Sequence, residues 1–426
     1  MQSHFSRAYR ASLVSVIALS AGLTACSSSD DAATTDTSSS ATTSAKEVAQ
    51  PKEVRGEQTR LAISTDGGVM VVDATDAADG TEPKVLSEFD ADGYLRLNPS
   101  GDGRHVIVST DNAFKPLDLG AYKQGHGDHF HYYAGDATWS ELAVDAEKPG
   151  HVVGTPEATV LFDDATGKVT EVVLKDLVAG KPEAAIKDTF SIPAHHGIAL
   201  KLEDGKYLTT KPDGEKAGGL MIVDKDGKEQ QDFMDCPGTH GVGEAADGAV
   251  LAGCTDGVII FQDGKVKKAK AEDAYGRTGT EAANLNSEWV IGDYKVKEGD
   301  KSEKPTRIVA VNTATAERKL IELGTSYTFR SLKMTDEGQG VVLGTDGKLH
   351  VIDPAAGKVT QSIDVIDKWE APEEWQQPRP AVTVKGDVAY VTNPADNTLH
   401  VVDLASGKVT AKTTLPKQPD EIATAG

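Results

Sequence analysis

The segment Leu349-His350-Val351-Ile352-Asp353-Pro354-Ala355-Ala356-Gly357-Lys358-Val359-Thr360 returns as Leu399-His400-Val401-Val402-Asp403-Leu404-Ala405-Ser406-Gly407-Lys408-Val409-Thr410. A chain that copies itself reads as an array of like units that bury their apolar faces on one another. Weaker copies are Leu161-Phe162-Asp163-Asp164-Ala165-Thr166-Gly167-Lys168-Val169-Thr170 and Met221-Ile222-Val223-Asp224-Lys225-Asp226-Gly227-Lys228. Others centre on Val71-Val72-Asp73, Ile259-Ile260-Phe261 and Val309-Ala310-Val311, and Pro116-Leu117-Asp118 is the most degenerate. Each copy alternates apolar and polar residues, turns on Asp, Ala and Gly, and alternates again, which is the pattern of a β-hairpin.

Two more short strands precede each hairpin, as Ala381-Val382-Thr383-Val384 and Val388-Ala389-Tyr390-Val391 do. Four strands per unit at a spacing of about 40–60 residues describe the blades of a propeller. The expected fold is all-β: a single β-propeller of eight four-stranded blades, with seven as the alternative. The first unit, from Leu61, lacks an innermost strand, and Pro419-Asp420-Glu421-Ile422-Ala423-Thr424 follows the last hairpin. If that segment supplies the missing strand, the ring closes without an exposed edge. Residues 57–426 are then one propeller domain.

The start of the chain reads as targeting sequence. Arg7 and Arg10 precede the apolar residues 11–23, too short a run to span a membrane. The run ends Leu23-Thr24-Ala25-Cys26, which resembles a bacterial lipoprotein signal. That resemblance implies cleavage after residue 25 and a lipid on Cys26, placing the protein on the extracytoplasmic face of the cell membrane through the anchor alone. Residues 26–56 are rich in Ser, Thr, Ala and Asp, a composition that cannot bury enough surface to order itself, and so read as a tether. Loss of Arg7 and Arg10 with the signal takes the formal charge from -22 to -24. So acidic a chain is not expected to bind nucleic acid; a monomer is the expected state.

Six of the eleven histidines fall in three short clusters. These are Gly125-His126-Gly127-Asp128-His129-Phe130-His131, Ala194-His195-His196-Gly197 and Thr239-His240-Gly241. Neutral imidazoles with a carboxylate suit zinc. With only five methionines, and none beside these clusters, copper is disfavoured. His196 and His240 each begin the inner strand of a blade, the fourth and the fifth, and should lie near one end of the central channel. His195 is expected to point away or to support the site, and Asp128 either to ligate or to orient an imidazole. His126, His129 and His131 fall between the third and fourth strands of the second blade, which simple topology places at the opposite end. Either a long loop crosses over or there are two metal sites. His105, His151, His350 and His400 stand singly in strand patterns and read as packing or surface residues. No His-Glu-x-x-His helix or serine elbow is present.

Cys236 precedes the inner strand of the fifth blade and Cys254 ends the next, antiparallel strand, so the two should lie side by side as a disulfide in an oxidising compartment. Thiolate ligation of zinc is the alternative.

The motifs Gly-Asp-His-Phe-His-Tyr-Tyr at residues 127–133, His195-His196-Gly197, and Cys236-Pro237-Gly238-Thr239-His240-Gly241 with a second cysteine resemble the AztD-type zinc chaperones. The resemblance runs from about Thr59 onward. It implies zinc carried by His126, His129, His131, His196 and His240, with Asp128 as a candidate, and handed to the solute-binding protein of a zinc ABC transporter. Such chaperones can carry a His- and Asp-rich segment near the mature N-terminus, whereas this tether offers only Asp30, Asp31 and Asp36. The competing expectations are a propeller enzyme of lactonase or quinone-dependent dehydrogenase type, for which no catalytic set is found, and a metal-free interaction scaffold.

Overall fold

A computed structural model describes residues 50–425 apart from Glu215 and Lys301. Within it the strands Ala381–Lys385, Val388–Asn393, Thr398–Asp403 and Lys408–Thr414 pair antiparallel in chain order. The same order recurs around the chain, giving eight sheets of four or five strands among the described residues. No α-helix occurs among those residues, only short 3-10 turns. The architecture is a β-propeller, as the repeats require.

The sheets are held by apolar residues that alternate along their strands and meet across each junction between neighbours. Eight buried clusters lie between consecutive sheets. In one of them Val341, Leu343, Leu349 and Val351 of the seventh sheet meet Val382, Ala389, Val391 and Val402 of the eighth. Each such side chain taken from water contributes about 1.5–3 kcal/mol, and the ring distributes that burial evenly.

The ring closes where the last strand reaches the first sheet. Pro419–Thr424 pairs antiparallel with Arg60–Thr65 and becomes the inner strand of the first sheet. Arg330, which precedes the inner strand of the seventh sheet, pairs there with Asp420 and with Glu421 at 3.1 Å. Its guanidinium also donates to the Tyr94 hydroxyl, which precedes the inner strand of the second sheet. Glu421 in turn accepts the Leu97 N–H at 2.7 Å. Buried ionic contacts therefore reinforce the seam.

The second sheet is irregular. Its strands Arg96–Pro99, His105–Ser109 and Ala113–Asp118 are regular, but its outer edge is only Thr138–Trp139 and Val144–Asp145. Between them the chain makes a hairpin, Ala121–His126 with His129–Ala134, that belongs to no blade. Lys52–Val54 adds a third strand to it. That strand lies in the segment assigned from composition to a tether: Val54 sets an ordered edge before residue 57. The signal, Cys26 and the tether up to residue 49 lie outside the described residues.

Candidate metal centres

Three inner strands deliver histidines to one end of the channel. His151 lies in Pro149–Gly154, His240 opens His240–Glu244, and His196 stands just ahead of Ala199–Lys201. A proline precedes each of them by two or three residues: Pro149 opens the strand of His151, and Pro193 and Pro237 lie in the links ahead of His196 and His240. One ring nitrogen from each of the three lies within 4.8 Å of the others. The Nε2 atoms of His196 and His240 are 3.2 Å apart. Two imidazoles on a tetrahedral zinc at about 2.0–2.1 Å hold their nitrogens about 3.3 Å from each other. The spacing therefore fits that ion.

Hydrogen bonds settle which nitrogen is free. Nδ1 of His151 donates to the Gly197 carbonyl at 3.0 Å, and Nδ1 of His240 to the Gly279 carbonyl at 2.6 Å. A carbonyl only accepts, so both rings carry their proton on Nδ1 and turn an Nε2 lone pair inward. His196 donates Nδ1 to Asp164 at 2.6 Å, a carboxylate only 4% exposed. Orientation of every imidazole by its outer nitrogen is the arrangement that metal ligands use. Burial lowers His240 to about 4, with the Arg277 and His196 charges adding to it. His151 is lowered well below its ordinary value by burial, then by His240 and His196. Both are thus neutral ligands at physiological pH. Among the described residues this set of three leaves the fourth position of a tetrahedral zinc open.

The hairpin builds a second centre by strand periodicity. His126 and His129 face each other across the turn, and His131, two residues on, shares the face of His129. The turn is Gly127-Asp128, with Gly127 at φ 64°, a left-handed value suited to glycine. Nε2 of His129 lies 3.1 Å from Nε2 of His131, and one nitrogen from each of the three rings lies within 4.8 Å of the others. Glu53, on the added strand, accepts from His131 Nδ1 at 2.7 Å. Phe130 points to the other face and is 54% exposed.

The two centres share no residue. The antiparallel order puts the start of an inner strand and the link from third to fourth strand at opposite ends of a blade, so the hairpin leaves the ring away from the channel triad. Of the residues singled out from sequence, His126, His129 and His131 come together in the hairpin, and His196 and His240 in the channel. Asp128 is fully exposed, with its carboxylate 3.3 Å from His129 Nδ1, an orienting position outside the set of three converging nitrogens. His195 does not join either centre. It is 3% exposed against Phe162, and its nitrogens are taken by the Pro193 carbonyl and the Thr210 hydroxyl, both at 2.8 Å.

His151, read from the sequence as a packing or surface residue, stands instead with His196 and His240 as a candidate ligand. A usable signal was its place: Pro149-Gly150-His151 opens an inner strand as Pro237-Gly238-Thr239-His240 does. Glu53 and Asp164 were missed as well, because their partners are distant in sequence. Cys236 and Cys254 form a disulfide, with Cα atoms 5.0 Å apart, and are therefore not zinc thiolates. Thr239 donates its hydroxyl to the Cys236 carbonyl at 2.6 Å, so the bridge anchors the turn that leads into His240.

No family model matches the chain. It is 26% identical over 379 residues to the zinc chaperone AztD of Citrobacter koseri, covering 86% of each chain. It is similar in structure to the crystal structure of Citrobacter koseri AztD, with a TM-score of 0.75 at 23% identity over 87% of this chain and 98% of that one. Dihydro-heme d1 dehydrogenase NirN shares the fold more distantly, with a TM-score of 0.56 at 11% identity over 87% of this chain and 75% of that one. The likeness read from the three histidine motifs therefore extends along most of the chain.

Proposed function

We propose that the protein is a zinc chaperone that delivers its ion to the solute-binding protein of a zinc ABC transporter. The observation that carries this reading is the convergence of three Nε2 lone pairs from His151, His196 and His240, each ring held by its outer nitrogen. Likeness to a protein named as a zinc chaperone supports it. Zinc is cargo here. Three imidazoles with an open fourth position hold it firmly, yet leave room for an incoming ligand to bind before any histidine lets go. Exchange then proceeds one ligand at a time without free zinc. The lipoprotein-like signal ending in Cys26 supports a position on the extracytoplasmic face of the membrane, within reach of a transporter.

The test loads the purified protein with zinc and mixes it with an apo solute-binding protein. Transfer faster than zinc loss to an excess of small chelator is the expected result; transfer no faster than that loss would remove the reading. The open position also suits a hydrolytic zinc centre. That second reading expects zinc-dependent turnover of an activated ester, abolished by His240→Ala.

A further inference from the structure

Two arginines and a lysine stand beside the channel triad, in a chain that carries a formal charge of -22. Arg96 opens the inner strand Arg96–Pro99, which packs beside the strand that holds His151. Its charge reaches both His151 and His240. Arg277 stacks its guanidinium on Gly279, so closely that a Cβ there would collide with it, and the Gly279 carbonyl is the group that holds His240. Lys148 lies 3.9 Å from Asp164 on the side of His196. The acids nearest these cations hold other groups as well. Asp164 accepts from His196, Glu421 lies 3.5 Å from Arg96 but also binds Arg330, and Asp293 accepts the Gly279 and Thr280 N–H groups with Arg277 4.0 Å away. Glu281 is packed against Gly241 and Gly253 with both oxygens shielded and unpartnered.

Three neutral imidazoles cancel none of the charge of a zinc ion. An ion at the triad therefore adds two positive charges to a wall already carrying Arg96 and Arg277. Water in the fourth position would leave that charge unanswered, whereas an anion would answer it. Guanidinium groups favour planar two-oxygen anions, because their N–H groups match a carboxylate in pairs. From these placements, and on the reading that the triad carries zinc, we propose that the open position takes a carboxylate oxygen, with the second oxygen held by Arg96 and Arg277. The carboxylate belongs either to a small organic acid or to an acidic side chain of the acceptor protein. In both cases the anion enters from the channel end and becomes the first ligand exchanged.

The experiment uses the full mature chain with His126, His129 and His131 all changed to Ala, so that added Co(II) reports the channel alone. Acetate is titrated while the ligand-field bands of the bound cobalt are followed, and a blocked Ala-Asp-Ala tripeptide is titrated in parallel. The expected result is a saturable spectral change with acetate. Arg96→Gln and Arg277→Gln should each raise the half-saturating concentration about tenfold, leaving cobalt affinity within a few-fold, while Arg277→Lys retains part of the response. A response to the tripeptide as well supports an acceptor side chain as the source, and a response to acetate alone supports a small acid. Cobalt bands that ignore acetate, or arginine variants that respond as the parent does, overturn the inference and leave zinc carriage standing. Absence of any cobalt bands overturns both.

Discussion

His196 and His240 face each other through Nε2 atoms 3.2 Å apart, each with its other nitrogen bound to an acceptor, Asp164 for one and Gly279 for the other. Two lone pairs so placed repel unless a cation lies between them and His151. Removing any of the three should therefore abolish tight zinc binding in the channel. His151→Ala, His196→Ala and His240→Ala are each expected to weaken zinc by on the order of 100-fold or more, and Asp164→Asn by about tenfold. Competition with a chromophoric chelator, in the variant lacking the hairpin histidines, measures this. If His151→Ala binds zinc as the parent does, that histidine is packing after all.

The same burial that prepares His240 for a metal makes the apo protein sensitive to mild acid. His240 is lowered from 6.5 to about 4 in the fold, and His151 moves in the same direction. Between those values the unfolded chain binds protons that the folded chain refuses, so stability rises with pH there. Above 6.5 the two states bind equally and this contribution is flat. The urea midpoint of the zinc-free protein should fall as pH drops from 6.5 to 4, with a smaller slope in His240→Asn. An unchanged slope in that variant would detach the acid sensitivity from His240.

How much of this was readable beforehand depends on how far apart in sequence the interacting residues lie. The hairpins of the repeats are local, so the blades follow from alternation and turn residues, while closure by Pro419–Thr424 was legible only because the first unit lacks an inner strand and one strand is left over after the last. Cys236 precedes the inner strand and Cys254 ends the strand paired with it, so their bridge follows from antiparallel pairing. His126, His129 and His131 announce themselves by spacing. His151 does not, because a lone histidine in a strand looks the same whether it packs or ligates; only its place at the head of an inner strand sets it apart. Glu53 was hidden by composition, since the polar run before it resembles the tether, while its strand forms only on pairing with residues of the distant hairpin.

Glu53 gives the hairpin centre its own test. Its carboxylate holds His131 Nδ1 at 2.7 Å, and it is exposed on a three-residue strand. Glu53→Gln should weaken zinc at the hairpin by about tenfold and leave the channel centre unchanged. Zinc titration in a His240→Ala background isolates the effect. A truncated chain beginning at residue 57 should show the same loss, because it removes the strand as well as the carboxylate.

Arg330 tests the seam. It is buried between Asp420 and Glu421, and truncation leaves the shielded Asp420 carboxylate without its cation and Glu421 with Arg96 alone. Arg330→Met is expected to cost about 3–5 kcal/mol in urea denaturation. Adding Asp420→Asn and Glu421→Gln should recover much of that loss, since the penalty lies in the unpaired charges. Recovery would not occur if the arginine served only to pack against Phe329.

The disulfide joins stability to the site. Cys236 and Cys254 are 18 residues apart in sequence, and in the chain-entropy description a loop of that size is worth about 3 kcal/mol. The bridge also fixes the turn before His240: Thr239 bonds back to the Cys236 carbonyl, and Thr255 N–H donates to the Pro237 carbonyl at 2.8 Å. Changing both cysteines to Ala should therefore do two things at once. The unfolding free energy should fall by about 3 kcal/mol, and zinc affinity should fall several-fold in the channel while the hairpin keeps its own. Loss of stability with channel affinity intact would mean that the Gly279 carbonyl holds the His240 ring in place without help from the bridge. Equal losses at both centres would mean that the bridge acts on the whole fold and not through the turn.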